Sequence, residues 1–130
     1  MSPHNKILFV DDNKMFQSIY KGKLMSEGFQ VTTADNGIEA LKVLAEGKPY
    51  LILLDLNMPE MDGFKVLQAV KANPELSSVH VIVFSARGQS EEIEKAVNLG
   101  ADGYLIKTTT TPNDVVKKIK EILDKTFETK

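Results

Sequence analysis

The 130-residue chain contains no cysteine, which removes thiol nucleophiles, disulfide frameworks and thiolate metal sites together. That fits a reducing compartment, and a cytoplasmic location is expected. No apolar run is long enough to cross a bilayer, and the opening Met-Ser-Pro-His-Asn-Lys lacks the basic-then-apolar pattern of a secretory signal. No membrane role is expected. Excess positive charge is missing too: 16 Lys and Arg stand against 18 Asp and Glu, a formal net charge of −2. Binding nucleic acid by bulk electrostatics needs a clustered basic surface, so no direct nucleic-acid contact is expected. The densest basic run, Lys117, Lys118, Lys120 and Lys125, alternates with Ile119, Ile122 and Leu123 at helical spacing. It reads as the solvated face of an amphipathic helix, with partner docking as the minor alternative.

Glycine is absent where a nucleotide would need it. The first apolar run is followed by Asp11-Asp12-Asn13-Lys14 rather than a glycine-rich loop, which disfavours nucleotide binding. Histidine occurs twice, as His4 and His80, and neither has partners for a metal site or a catalytic triad.

What is present is a repeating strand and helix pattern. With 42% hydrophobic residues the length suits one domain over residues 1–130, its core at about 6–126. Leu51 to Leu54 is an unbroken apolar run too short for a buried helix, so it reads as a strand covered on both faces. It ends in Asp55. Pro59 and the turn pair Asp62-Gly63 place that acid where the strand gives way to a loop. Strands are also expected at Ile7 to Val10, Phe29 to Thr33, Val79 to Phe84 and Gly103 to Ile106. Helices are expected between them, opened by Asn36-Gly37, by Ser90 as a cap, and by Thr111-Pro112-Asn113-Asp114. Five strands alternating with five helices define an α/β class with a parallel sheet and helices on both faces. The most continuously apolar strands, one, three and four, belong in the middle.

A parallel sheet aligns the carboxyl ends of its strands along one edge, where ligands bind. That edge would carry Asp11-Asp12, Asp55, Ser85 and Lys107. Each alone reads as well in blander terms: the acids as turn formers, Asp12 as a cap for the Lys14 helix, Ser85 as a cap, Lys107 as a solvated charge. Together, four of five strands end in groups suited to phosphate and metal. Clustered carboxylates repel, and a hard divalent cation with oxygen ligands relieves the repulsion.

These residues resemble the response-regulator receiver domains of two-component signalling, from about Lys6 to the last helix. Asp11-Asp12, Asp55 with Asn57-Met58-Pro59 and Gly63, Ser85-Ala86, Tyr104 and Lys107 fall at family positions in family order. The resemblance implies a flavodoxin-like doubly wound sheet in the order 2-1-3-4-5. It implies Asp55 as acceptor of a phosphoryl group from a sensor histidine kinase or phosphotransfer protein. It implies Mg2+ held by Asp11, Asp12, Asp55 and the Asn57 carbonyl, and Lys107 and Ser85 on the phosphoryl group. Ser85 and Tyr104 would form the switch, and the surface of helix four, strand five and helix five would signal to a downstream output protein. Two departures stand out. Thr108 follows Lys107 where the family usually has proline, often after a cis bond; a cis bond before a non-proline costs roughly 2.5–4 kcal/mol, so this loop is trans or strained. Ser85 occupies a position where threonine is also common.

Two other readings compete. A metal-dependent phosphohydrolase with an aspartyl-phosphate intermediate would want an acid two residues after the nucleophile, and Asn57 cannot protonate a leaving group. A pure interaction module is weakened by the presence of every acceptor-site group. From the initial Met an intact N-terminus is expected, and from the short stretch after the last helix no DNA-binding domain is expected, so the expectation is a stand-alone regulator or a receiver cut from a larger regulator or hybrid kinase.

Overall fold

The computed structural model describes residues 5–56, 63–86 and 88–128, with side chains as far as residue 122. The elements run β1 (Lys6–Val10), α1 (Lys14–Ser26), β2 (Gln30–Ala34), α2 (Gly37–Glu46), β3 (Leu51–Leu54), α3 (Gly63–Ala72), β4 (His80–Ser85), α4 (Ser90–Asn98), β5 (Gly103–Ile106) and α5 (Pro112–Glu128). All strand pairs are parallel and the sheet order is β2-β1-β3-β4-β5, so the three most apolar strands are central.

Alternation along each strand divides the core in two. Leu8, Val10, Ile52, Leu54, Val81 and Val83 face α2, α3 and α4, packing with Ala40, Leu44, Val66, Leu67, Val70 and Ala96. Their neighbours Ile7, Phe9, Leu51, Leu53, Ile82 and Phe84 face α1 and α5, packing with Tyr20, Leu24, Val115, Val116 and Ile119. Burial on both faces is what a continuous run such as Leu-Ile-Leu-Leu requires.

Local chemistry sets the boundaries. Asn13, not Asp12, caps α1, its side chain accepting from the Phe16 N–H. The other end closes through Gly28 at φ +96°, with the Phe29 N–H donating to the Leu24 carbonyl and the Gly28 N–H to that of Met25. Phe29 is drawn into that closure, so β2 begins one residue later than the sequence pattern suggests. Likewise β4 begins at His80 and includes Ser85. Ser90 does not cap α4: Gln89 holds that position without a side-chain bond, and Ser90 is already helical, followed by Glu91 and Glu92 against the helix dipole. Thr111 caps α5 as expected, with its Oγ1 accepting from the Asp114 N–H while the Asp114 carboxylate accepts from the Thr111 N–H.

Candidate functional site

The register of the sheet brings the polar tips together. Val10 pairs with Leu54, and Leu54 with Val83, so the next residues of β1 and β3, Asp11 and Asp55, leave the sheet side by side. Ser85 pairs with Ile106, which places Lys107 one residue beyond it. The Asp11 N–H donates to the Ala34 carbonyl and the Asp55 N–H to the Val10 carbonyl, both at 3.0 Å, extending the ladder through the first residue of each tip.

Asp11, Asp55 and Ser85 are buried, and Asp12 is exposed. Buried carboxylates demand partners, and Lys107 supplies one to each. Its ammonium lies 2.7 Å from Asp11 Oδ2 and 3.2 Å from Asp55 Oδ2, with 10% of the side chain exposed. The peptide bond after Lys107 is trans, and the residue starts a short 3-10 turn, Lys107–Thr109. The missing proline has not displaced the lysine.

Oxygens of Asp11, Asp12 and Asp55 lie within 4.8 Å of one another, the one such cluster among the described residues. Three formal negative charges against one positive leave a deficit of two. At an effective dielectric near 20, like charges about 4 Å apart repel by about 4 kcal/mol. The donor set is oxygen only and open to solvent on the Asp12 side, which fits a hard divalent ion such as Mg2+ and disfavours softer metals. Asn57, the fourth expected ligand, lies outside the described residues, as do Met58, Pro59, Arg87 and His4.

Two neighbours shape the acids. The buried Gln17 amide donates to the Asp11 carbonyl, to the Ala34 carbonyl at 3.3 Å and to Asp35 Oδ1 at 2.8 Å, tying the tips of β1 and β2 to α1. Lys14 holds both Asp35 oxygens at 2.7 Å and, with the Gln17 hydrogen bond, keeps that carboxyl below the ordinary range. Gly63 opens α3 directly over the backbone of Asp55 and Leu56. A Cβ there would collide with the Asp55 carbonyl oxygen and come within 2.6 Å of Leu56 Cα. Neither role is legible in the sequence, although a polar residue at Gln17, in helical register with Tyr20 and Leu24, is a signal for the first.

Tyr104 of β5 pairs with Val83 of β4 and packs half-buried against the cluster under α2, α3 and α4. Ser85 lies two residues after Val83, so both expected switch residues belong to one face of the sheet. His80 pairs with Asp102, Nδ1 to Oδ1 at 3.2 Å, at the opposite end of β4 from Ser85. At about 3.3 Å per residue that is roughly 16 Å from Ser85. No described helix is long and apolar enough to cross a membrane.

Acids and a lysine thus gather at the carboxyl edge of a doubly wound parallel sheet. The chain belongs to the response regulator receiver domain family, whose model matches residues 7–120. It is 36% identical over 129 residues to chemotaxis protein CheY-3 of Vibrio cholerae, covering 98% of this chain and 95% of that protein. Among solved structures it is similar to a CheY-like response regulator receiver domain protein of Methanospirillum hungatei, with TM-score 0.86 and 31% identity over 97% of this chain and 98% of that one. It is also similar to the Mn(2+)-bound form of the response regulator Rcp1, with TM-score 0.78 and 28% identity over 91% of each chain.

Proposed function

We propose that this chain, as one receiver domain over residues 1–130, takes a phosphoryl group from a phosphohistidine of a sensor kinase or phosphotransfer protein onto Asp55. A CheY-like family membership supports a regulatory role. The observation that carries the assignment to Asp55 is its position: buried, at the tip of the central strand, touching Lys107 and clustered with Asp11 and Asp12.

One Asp55 oxygen attacks phosphorus as the bond from phosphorus to the donor imidazole nitrogen breaks; the electron pair stays on the imidazole, which takes a proton from solvent. Lys107 pairs with a phosphoryl oxygen, and Ser85 hydrogen-bonds to another. Asp11, Asp12, Asp55 and the Asn57 carbonyl are the proposed Mg2+ ligands. The ion, when bound, offsets charge on the transferring oxygens, which is most of what phosphoryl transfer asks of a protein. The Mn(2+)-bound relative supports a divalent site. Hydrolysis returns the carboxylate, with water attacking phosphorus and inorganic phosphate leaving.

The output is proposed to be a population shift of the surface formed by α4, β5 and α5, read by a partner protein, with Ser85 and Tyr104 as its switch. Their shared face, under α4, supports that pairing. The test is Mg2+-dependent labelling by a small phosphodonor such as acetyl phosphate. Wild type takes one hydroxylamine-labile phosphate and Asp55→Asn takes none; equal labelling of both refutes the assignment. Many turnovers on simple phosphate esters would instead favour the phosphohydrolase.

A further inference from the structure

The Lys107 ammonium is held from a second side that carries no charge. Its Nζ lies 4.7 Å from the centroid of the Phe16 ring and 5.8 Å from that of Phe84. Both distances fall within the range at which an aromatic face attracts a cation through its quadrupole. Phe16 is itself fixed in place. It stacks on Tyr20 at 5.9 Å with planes 17° apart and meets Phe84 edge-on at 6.0 Å and 81°, while Tyr20 closes the triangle with Phe84 at 5.0 Å. Tyr20 and Phe84 are buried, so the ring cannot swing away without breaking that cluster.

This contact differs from the two ion pairs in one chemical respect. The Asp11 and Asp55 oxygens are the same atoms a divalent cation would claim, and Asp55 loses its negative oxygen on phosphorylation. A benzene ring is not a ligand for a hard cation and does not change with either event. Lys107 has a flexible stem and leaves β5 on a short turn of threonines, so it needs a seat that survives both.

We infer that Phe16 is a positioning residue whose π face seats the Lys107 ammonium, holding it in place when metal and phosphoryl group take over the carboxylates. The inference rests on the reading of Asp55 as phosphoryl acceptor.

The test replaces Phe16 by 3,4,5-trifluorophenylalanine, which keeps the ring's shape and removes its negative face, alongside Phe16→Leu and Phe16→Tyr. At saturating Mg2+ and acetyl phosphate, the fluorinated and leucine proteins should be phosphorylated about threefold to thirtyfold more slowly, the rate equivalent of a partly desolvated cation–π contact. Their Mg2+ affinity should be unchanged, and Phe16→Tyr should retain the rate. Proton NMR gives an independent reading: the Lys107 ε-methylene protons should show an upfield ring-current shift that persists when Mg2+ is added and is lost in Phe16→Leu. A fluorinated protein as fast as wild type, or a ring-current shift that disappears with Mg2+, overturns the inference. Should wild type take no phosphate, the acceptor reading fails, and the NMR result alone still decides whether Phe16 seats the lysine.

Discussion

The Lys107 ammonium rests 3.2 Å from a carboxylate oxygen of Asp55, although fifty-two residues separate them along the chain. Two parallel strands two positions apart in the sheet bring them there, and the lysine is the cation that makes a buried acid tolerable before any metal binds. Removing it tests both sides of that relationship. Lys107→Ala should slow phosphorylation by acetyl phosphate about 10- to 100-fold, the loss expected for one charge-assisted hydrogen bond to the transferring group. The same change should tighten Mg2+ binding in a calorimetric titration, because a competing positive charge has gone. Weaker Mg2+ binding would contradict this description of the site.

Gln17 tests whether the loop carrying the acids is held from behind. Gln17→Leu keeps the volume but leaves the buried Asp11 carbonyl without its side-chain donor. It should cost about 1–3 kcal/mol in urea denaturation, and Mg2+ affinity should fall with it. Gln17→Glu should cost more, since a carboxylate would then face the Asp11 carbonyl and Asp35. Wild-type stability in both variants would rule out the tether.

Gly63 is required for space rather than for backbone freedom. Its missing side chain is what lets α3 start against the backbone of Asp55 and Leu56, where the obstructing atoms are main chain and cannot rotate aside. Gly63→Ala should destabilise by about 1–3 kcal/mol and displace Asp55 enough to impair phosphorylation. Full labelling at wild-type stability would show that the contact yields.

A pH effect is expected at the far end of the sheet. Burial alone would raise the Asp102 carboxyl, but hydrogen bonds from His80 and the Val81 N–H, with the charges of His80 and Lys71, outweigh it and hold the group below its ordinary value. A carboxyl depressed in the folded state adds stability above its unfolded value, about 3.9, and that contribution is lost as pH falls through the folded value. Asp102→Asn should therefore be less stable than wild type at neutral pH, and the gap should close below about pH 4. A gap that stays constant on acidification would contradict the pairing.

Much of this site could be read from the residues alone. Leu51 to Leu54 and Val81 to Phe84 admit little but central parallel strands, and once strands are parallel their terminal Asp11, Asp55, Ser85 and Lys107 must share an edge. What stayed hidden depends on which way side chains turn. Phe16 reads as one more apolar residue of an amphipathic helix, and nothing in its spacing says that its ring lies against the ammonium of Lys107, in the last quarter of the chain. Phe29 carries strand propensity yet closes the helix before it, which is why β2 starts late. Ser90 has the chemistry of a cap, but the chain turns helical one residue sooner.

The most direct measurement is to phosphorylate the protein with acetyl phosphate and Mg2+, reduce the acyl phosphate with borohydride and locate the resulting homoserine by peptide mass spectrometry. Homoserine at position 55, formed only when Mg2+ is present, is the expected result. Phosphate recovered on a serine, a histidine or a different aspartate, or labelling indifferent to Mg2+, would contradict the account.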